Sequence, residues 1–285
     1  MPRAGSDIAS LATARTAALV AAGRNGLRVA NLTTMTMHEA AAALFDKVWY
    51  PDRAVSSATL RALDHTGNYV AGAFLEERLV GASVGFFAAD RSLHSHITAI
   101  APEHQGLGIG YAVKQHQRAW ALERDVDTIT WTFDPLVRRN AYFNLHKLGA
   151  SLTAYLPDFY GAMTDGVNAG DLSDRLSVCW LLSSPQAVAA AAGRVDEVDL
   201  SGLRAAGGHV RLDRVDGERP EPRQPVEPPW LVAVPEDIER LRRTEASLAR
   251  AWRLGVRAAL LEGLAQDLQI TAISRDGWYV MEARE

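Results

Sequence analysis

The sequence predicts an α/β (α+β) fold with a mixed, mostly antiparallel central sheet flanked by helices and a C-terminal helix-plus-hairpin extension. Three observations predict it. The stretch 69–89, "YVAGAFLEERLVGASVGFFAA", holds two apolar runs joined by one short charged turn, and "LHSHITAIA" follows it, which reads as an antiparallel strand meander. Residues 96–120, "HITAIAPEHQGLGIGYAVKQHQRAW", pass from a strand through three closely spaced glycines into a helix. Residues 220–229, "PEPRQPVEPP", place five prolines in ten positions ahead of a long helix with an apolar stripe.

With 285 residues, of which 48% are apolar, the chain has material for one large or two medium domains. "SDIASLATARTAALVAAGRNG" reads as a capped helix, with a targeting segment as the alternative. "LRVANLTT" reads as a strand, "TMHEAAAALFDKVW" as a helix, and "SSATLRALDHTG" as a short helix with serine caps and a stop at Gly67. After the meander and the glycine loop, Ala112 and Ala119, like Val113 and Trp120, recur at seven residues. Lys114, Gln117 and Arg118 fall between them, which predicts an amphipathic helix. "DTITWTF" reads as a buried strand, "DPLVRRNAYFNLHKLGA" as a helix stopped by Gly149, and "RLSVCWLL" as a late strand closing a first domain near residue 184. Pro235, Glu236 and Asp237 open a further helix, with Ile238, Leu241, Leu248, Trp252, Val256 and Ala259 along one face. "LQITAIS", Asp276-Gly277 and "WYVMEA" form a hairpin.

The net charge of -4 leaves no electrostatic footprint for nucleic acid or an anionic membrane surface, so neither is expected as a partner. Cys179 is the only cysteine, which excludes an intrachain disulfide and a Cys-based zinc site and fits a cytoplasmic protein without a metal. Nothing approaches a membrane span of roughly 20 apolar residues.

Backbone N–H groups at a helix start favour phosphate, and glycine lets the main chain approach it, so "QGLGIG" suits a diphosphate. A P-loop needs Gly-Lys-Ser/Thr, whereas Lys114 lies one turn into the helix. A dinucleotide fingerprint needs a third glycine where Tyr111 stands, and a parallel βαβ unit where the meander stands. A glycine-rich turn without a ligand is the remaining alternative.

Gln105-Gly106-Leu107-Gly108-Ile109-Gly110 resembles the Q/R-x-x-G-x-G/A signature of the GNAT superfamily, the GCN5-related N-acyltransferases. The lead-in "AIAPEHQGLGIG" and the element order of residues 27–184 are similar to that family as well. The resemblance implies residues 1–26 as an N-terminal helix and 27–184 as the GNAT acyltransferase domain. Residues 185–219 are then a connecting segment, 220–229 a proline-rich linker, and 230–285 a C-terminal helix and hairpin docking on the core or on a partner subunit. It implies acetyl-CoA or another acyl-CoA as co-substrate. Ile100, Gln105, Gly106, Leu107, Gly108, Ile109, Gly110 and Tyr111 would hold it, and Asn140 would bind the pantetheine. The strands "LHSHITAIA" and "DTITWTF" would splay around the pantetheine arm.

The base implied is His96, with His94 two residues earlier on the same strand face; either histidine could also be a polar residue on a partly exposed face. Leu145 stands where the family has a tyrosine acid, so Tyr142, one turn earlier, substitutes for it or is a packed aromatic. Asp171, Asp174 and Arg175 either bind the acceptor's ammonium and carboxylate or form an internal salt bridge fastening the loop. Arg138, Arg139 and Arg253 are further anion candidates. "WTFDPLVRRNAYFNLHKLGA" and "GDLSDRLSV" look like a little-studied bacterial branch with relatives in N-acylamino acid metabolism. That implies transfer of an acetyl or succinyl group to the primary amine of a small molecule, an amino acid first, in a ternary complex, while docking of the C-terminal segment through the proline-rich arm leads to the expectation of a homodimer. The alternative is a non-catalytic acyl-CoA-binding regulator.

Overall fold

A computed structural model describes residues 5–24, 26–49, 55–161, 171–216, 218–224 and 227–284. Most of the polar loop between Gly161 and Asp171, and Pro225-Val226 of the proline-rich stretch, lie outside the described residues. The chain divides into two units, 1–131 with 181–192 and 132–180 with 193–285.

The first unit begins with helix α1 (Gly5–Gly23), strand β1 (Leu27–Asn31), α2 (Met35–Trp49) and α3 (Ser57–His65). Ser56 caps α3 by accepting the Thr59 N–H at 3.1 Å, as the serine pair predicts. β2 (Tyr69–Leu75), β3 (Arg78–Phe87) and β4 (Leu93–Ile100) follow, then α4 (Ile109–Leu122) and β5 (Thr128–Phe133). Strands β1 to β4 pair antiparallel in chain order, and β5 joins β4 in parallel. This is the mixed, mostly antiparallel sheet flanked by helices that the pattern predicts. One core cluster gathers Leu44, Phe45 and Leu60 of α2 and α3 with Val70, Val84 and Ala99 of the sheet. Another joins Ala21 of α1, Ala73 and Val80 of the sheet, and Ile109, Ala112 and Val113 of α4.

α4 departs from its sequence pattern. Lys114, Gln117 and Arg118, the polar residues of the expected amphipathic helix, are buried together with the apolar ones. The helix packs against the sheet and α1 at once, so it has no wide solvent face. Arg118 donates through Nε to the Leu182 carbonyl at 2.8 Å.

In the second unit, α5 (Arg138–Tyr142) runs into a π-helical turn, Phe143–Lys147, and the chain reverses at Gly149 with φ +65°, the expected stop. β6 (Ser151–Leu156) and β7 (Arg175–Leu181) pair antiparallel. In the first unit, α6 (Pro185–Ala191) is capped by Ser184. The second unit resumes with α7 (Leu200–Ala205), β8 (His209–Val215), β9 (Arg219–Pro222), β10 (Trp230–Ala233), α8 (Ile238–Thr244), α9 (Ala246–Ala265), β11 (Leu268–Ile273) and β12 (Trp278–Ala283).

The expected hairpin is present, but it belongs to a five-stranded sheet in the order β11-β12-β10-β8-β9. The segment 185–219, expected to be a connection, therefore supplies helices and a strand. Two of the prolines expected to form a linker lie in β9, an edge strand, where a missing N–H costs no ladder bond. The single long helix expected after Pro235 is two, because Glu245 takes an extended φ/ψ of -147°/62° between them. Residues 132–180, placed by sequence in the first domain, share a unit with the C-terminal segment.

Candidate functional site

The site is built where β4, still paired with β3, parts from β5. Its ladder with β5 has two rungs, Leu93 opposite Ile129 and His94 opposite Thr130, after which the strands part. β4 also carries a bulge: Val84 faces Ile97 and Gly85 faces Ser95, so His96 has no partner across the ladder. The His94 and His96 rings both lie against Phe86, their centroids 5.3 and 5.6 Å from its ring. His94 Nδ1 lies 3.2 Å from Thr130 Oγ1, which bridges the vertex of the gap. His94 is half-buried and His96 is exposed, and partial desolvation lowers both imidazoles below the ordinary histidine range; for His94 the neighbouring His96 and Lys114 add to it. Both are therefore neutral near pH 7 and able to accept a proton.

β4 ends at Ile100, and a 3-10 turn, Pro102–His104, leads into the glycine loop. Gln105 folds back, its Nε2 3.5 Å from the Ile100 carbonyl. Gly106 and Gly108 take φ of +81° and +76°, conformations that side chains resist, and open space surrounds the Cβ positions of Gly106 and Gly110. Gly108 caps α4 with its carbonyl, and the first helical bond comes from Ala112 N–H at 3.1 Å. The N–H groups of Ile109, Gly110 and Tyr111 thus lie ahead of the helical ladder at the positive end of the α4 dipole. Leu107 is exposed and Tyr111 half-buried. The loop fits a diphosphate.

Between this loop and the vertex, Lys114 reaches inward from α4. Its Nζ donates to Ser95 Oγ at 2.8 Å and to Gln117 Oε1 at 3.1 Å and sits 3.9 Å from the Trp131 ring centroid. Burial brings its amine down to about 7. By sequence Lys114 belongs to a polar helix face; a lysine set between apolar positions carries no sign of burial by itself.

The remaining sequence-predicted residues lie in the second unit. Asn140 is exposed on α5. Tyr142 donates its hydroxyl to Glu197 at 2.5 Å and stacks on His146 at 4.5 Å, and burial with the Glu197 hydrogen bond raises its pKa. As an acid it would have to give up that bond.

Asp171, Asp174 and Arg175 take the internal alternative. Asp171 lies with Asp134 between the guanidiniums of Arg242 and Arg253, with contacts of 2.9 to 3.2 Å from Arg253. Asp174 is fully buried and accepts from Tyr155, from Asp158 N–H and from Arg257. Arg175 donates to the Asp174 carbonyl at 2.8 Å and lies over the Tyr160 ring. The two carboxylates expected to receive an ammonium are thus engaged by arginines. Arg253, considered as an exposed anion binder, is buried in the same cluster. Arg138 and Arg139 pair with Glu236 and Glu239 along a groove that also holds an Arg240–Glu218 pair. Among the described residues, no group of three or more His, Cys, Asp or Glu side chains could hold a metal ion, and no helix is long and apolar enough to cross a membrane.

Residues 18–149 match the profile of the acetyltransferase (GNAT) family. No curated protein matches the chain. Among solved structures, it is similar to the ribosomal-protein-S18-alanine N-acetyltransferase of Escherichia coli (16% identity, 55% of this chain, 95% of that one, TM-score 0.44). It is also similar to a putative acetyltransferase of Salmonella typhimurium solved with its cofactor acetyl-CoA (16%, 55%, 95%, TM-score 0.47). A third is a GNAT family acetyltransferase of Elizabethkingia anophelis with acetyl-CoA bound (13%, 55%, 99%, TM-score 0.44).

Proposed function

Residues 18–149 match the GNAT acetyltransferase family, and from that premise we propose that this protein transfers an acetyl or succinyl group from acyl-CoA to the primary amine of a small molecule such as an amino acid. The single observation that carries the reading is the loop 105–111, with two glycines in the left-handed region at the start of a helix whose first N–H groups precede its hydrogen-bond ladder. In this reading the loop holds the diphosphate, and Ile100 with the parted edge of β4 lines the pantetheine arm.

His96 is the base. Its imidazole, neutral because its pKa is lowered, takes a proton from the substrate ammonium directly or through water. The freed amine forms a bond to the thioester carbonyl carbon, the C–S bond breaks, and the departing CoA thiolate takes up the proton that the nitrogen sheds in becoming an amide. His94, hydrogen-bonded to Thr130, orients the neighbouring strand and is the reserve base. The protein acts as a homodimer in the cytoplasm. The engagement of Tyr142 by Glu197 favours a second reading, a regulator that binds acyl-CoA without turnover; release of free thiol on screening amines separates the two.

Coenzyme A is expected to raise the melting temperature more than NAD or ATP does. At a hundredfold excess over Kd, the linkage is worth about 2.7 kcal/mol. In Gly108→Val the apo protein melts lower, since valine is strained at φ +76°, and the CoA-dependent shift vanishes. An undiminished shift in this variant removes the loop from the binding site.

A further inference from the structure

Buried cations that lack a carboxylate are costly, and α4 has two, one turn apart on the same side of the helix. Lys114 uses neutral partners only, Ser95 and Gln117, beside the Trp131 ring. Arg118, fully buried, spends Nε on the Leu182 carbonyl, and neither Nη1 nor Nη2 has a partner. Gln117, whose oxygen serves Lys114, has a buried Nε2 that is also unpartnered. Among the described residues no carboxylate pairs with either cation. The interior of this helix is thus rich in donors and short of acceptors, the inverse of the second unit, where buried arginines face aspartates.

The place of Lys114 matters as much as its charge. Ser95 and Trp131 are the first residues of β4 and β5 beyond their last rung, His94–Thr130, so the ammonium stands at the vertex where the strands part. From His94 to Ile100 the strand covers about 20 Å at about 3.3 Å per residue and then feeds the glycine loop. A molecule with its phosphates on that loop and its arm along β4 presents its far end to the vertex.

We propose that the acyl group ends in a carboxylate, as in succinyl-CoA, and that Lys114 is the specificity-determining side chain that receives it. This rests on the acyl-CoA reading above. The carboxylate supplies the missing counter-charge, and the unspent donors of Gln117 and Arg118 lie on the same helix. A lysine that only tied β4 to β5 through Ser95 and Trp131 would show no preference among acyl ends.

The test is calorimetric titration of the full-length protein with CoA, butyryl-CoA and succinyl-CoA, the last two having acyl groups of equal carbon number. Succinyl-CoA is expected to bind at least about tenfold more tightly than butyryl-CoA. In Lys114→Met that difference should disappear while CoA still binds. Lys114→Gln, which keeps a donor for Ser95 without the charge, replaces it should the methionine variant not fold. Equal affinities in the wild type, or a preference that survives loss of the charge, overturn the proposal but leave the acyltransferase reading standing. Failure of CoA and of both thioesters to bind overturns both.

Discussion

Arg253→Met is expected to destabilise the second unit by about 3–5 kcal/mol, the usual cost of removing one member of a buried ion cluster. Asp134 and Asp171, with side chains only 8% and 5% exposed, would each lose a guanidinium without gaining water. Arg257→Met, which uncouples Asp174 at a position 24% exposed, should cost less. Chemical denaturation of the two variants and the parent gives the comparison, and equal midpoints for Arg253→Met and the parent would contradict the argument. The pH dependence has a definite sign. Burial alone would raise the Asp134 carboxyl, but Arg253 and Arg242 outweigh it and hold it well below the ordinary range. A carboxyl depressed in the folded state contributes stability above its unfolded value near 3.9 and loses it as pH falls through the folded one. The parent should therefore weaken steeply below about pH 4, and Arg253→Met should weaken less.

His96→Ala is expected to lower turnover by about 100-fold or more near neutral pH while acyl-CoA affinity is nearly unchanged, the signature of a lost proton acceptor. Because partial desolvation lowers the imidazole pKa, the acid limb of the parent's rate profile should fall below pH 6.5 and be absent from the residual activity of the variant. His94→Ala should act more mildly, through the lost contact with Thr130. Normal turnover together with a normal profile in His96→Ala would remove that residue from the chemistry.

Much of the first unit is legible in the sequence because its signals are local. Ser56, Gly67 and the alternating runs of 69–100 set helix ends and turns through their own backbone preferences, and the order of elements leads to the family. The two rungs between β4 and β5 follow the splay that the family resemblance implies. The bulge at His96 was not legible, since one extra residue in a strand leaves no mark on an apolar run. Burial of Lys114 and Arg118 escaped for a related reason: periodicity reports which positions are apolar, and α4 buries polar ones. In the second unit, β8 to β10 are four to seven residues long, too short for period two to stand out, and β8 and β9 are also interrupted by charge or proline. Asp171 and Asp174 are visible as a charged loop, but their arginine partners lie 71 to 83 residues away, beyond any local pattern.

The long reach of the Asp134 cluster bears on how the molecule is made. Asp134 leaves the ribosome 119 residues ahead of Arg253. At about 5–20 residues per second, its carboxylate waits on the order of ten seconds for that guanidinium. In that interval it is solvated and charged, and no favourable path buries it. Strands β6 and β7 can pair as soon as they emerge, but the ion cluster closes only when α9 has been synthesised. A nascent chain arrested before residue 253 is therefore expected to be cut readily by protease within 132–180, and one extended past α9 to resist.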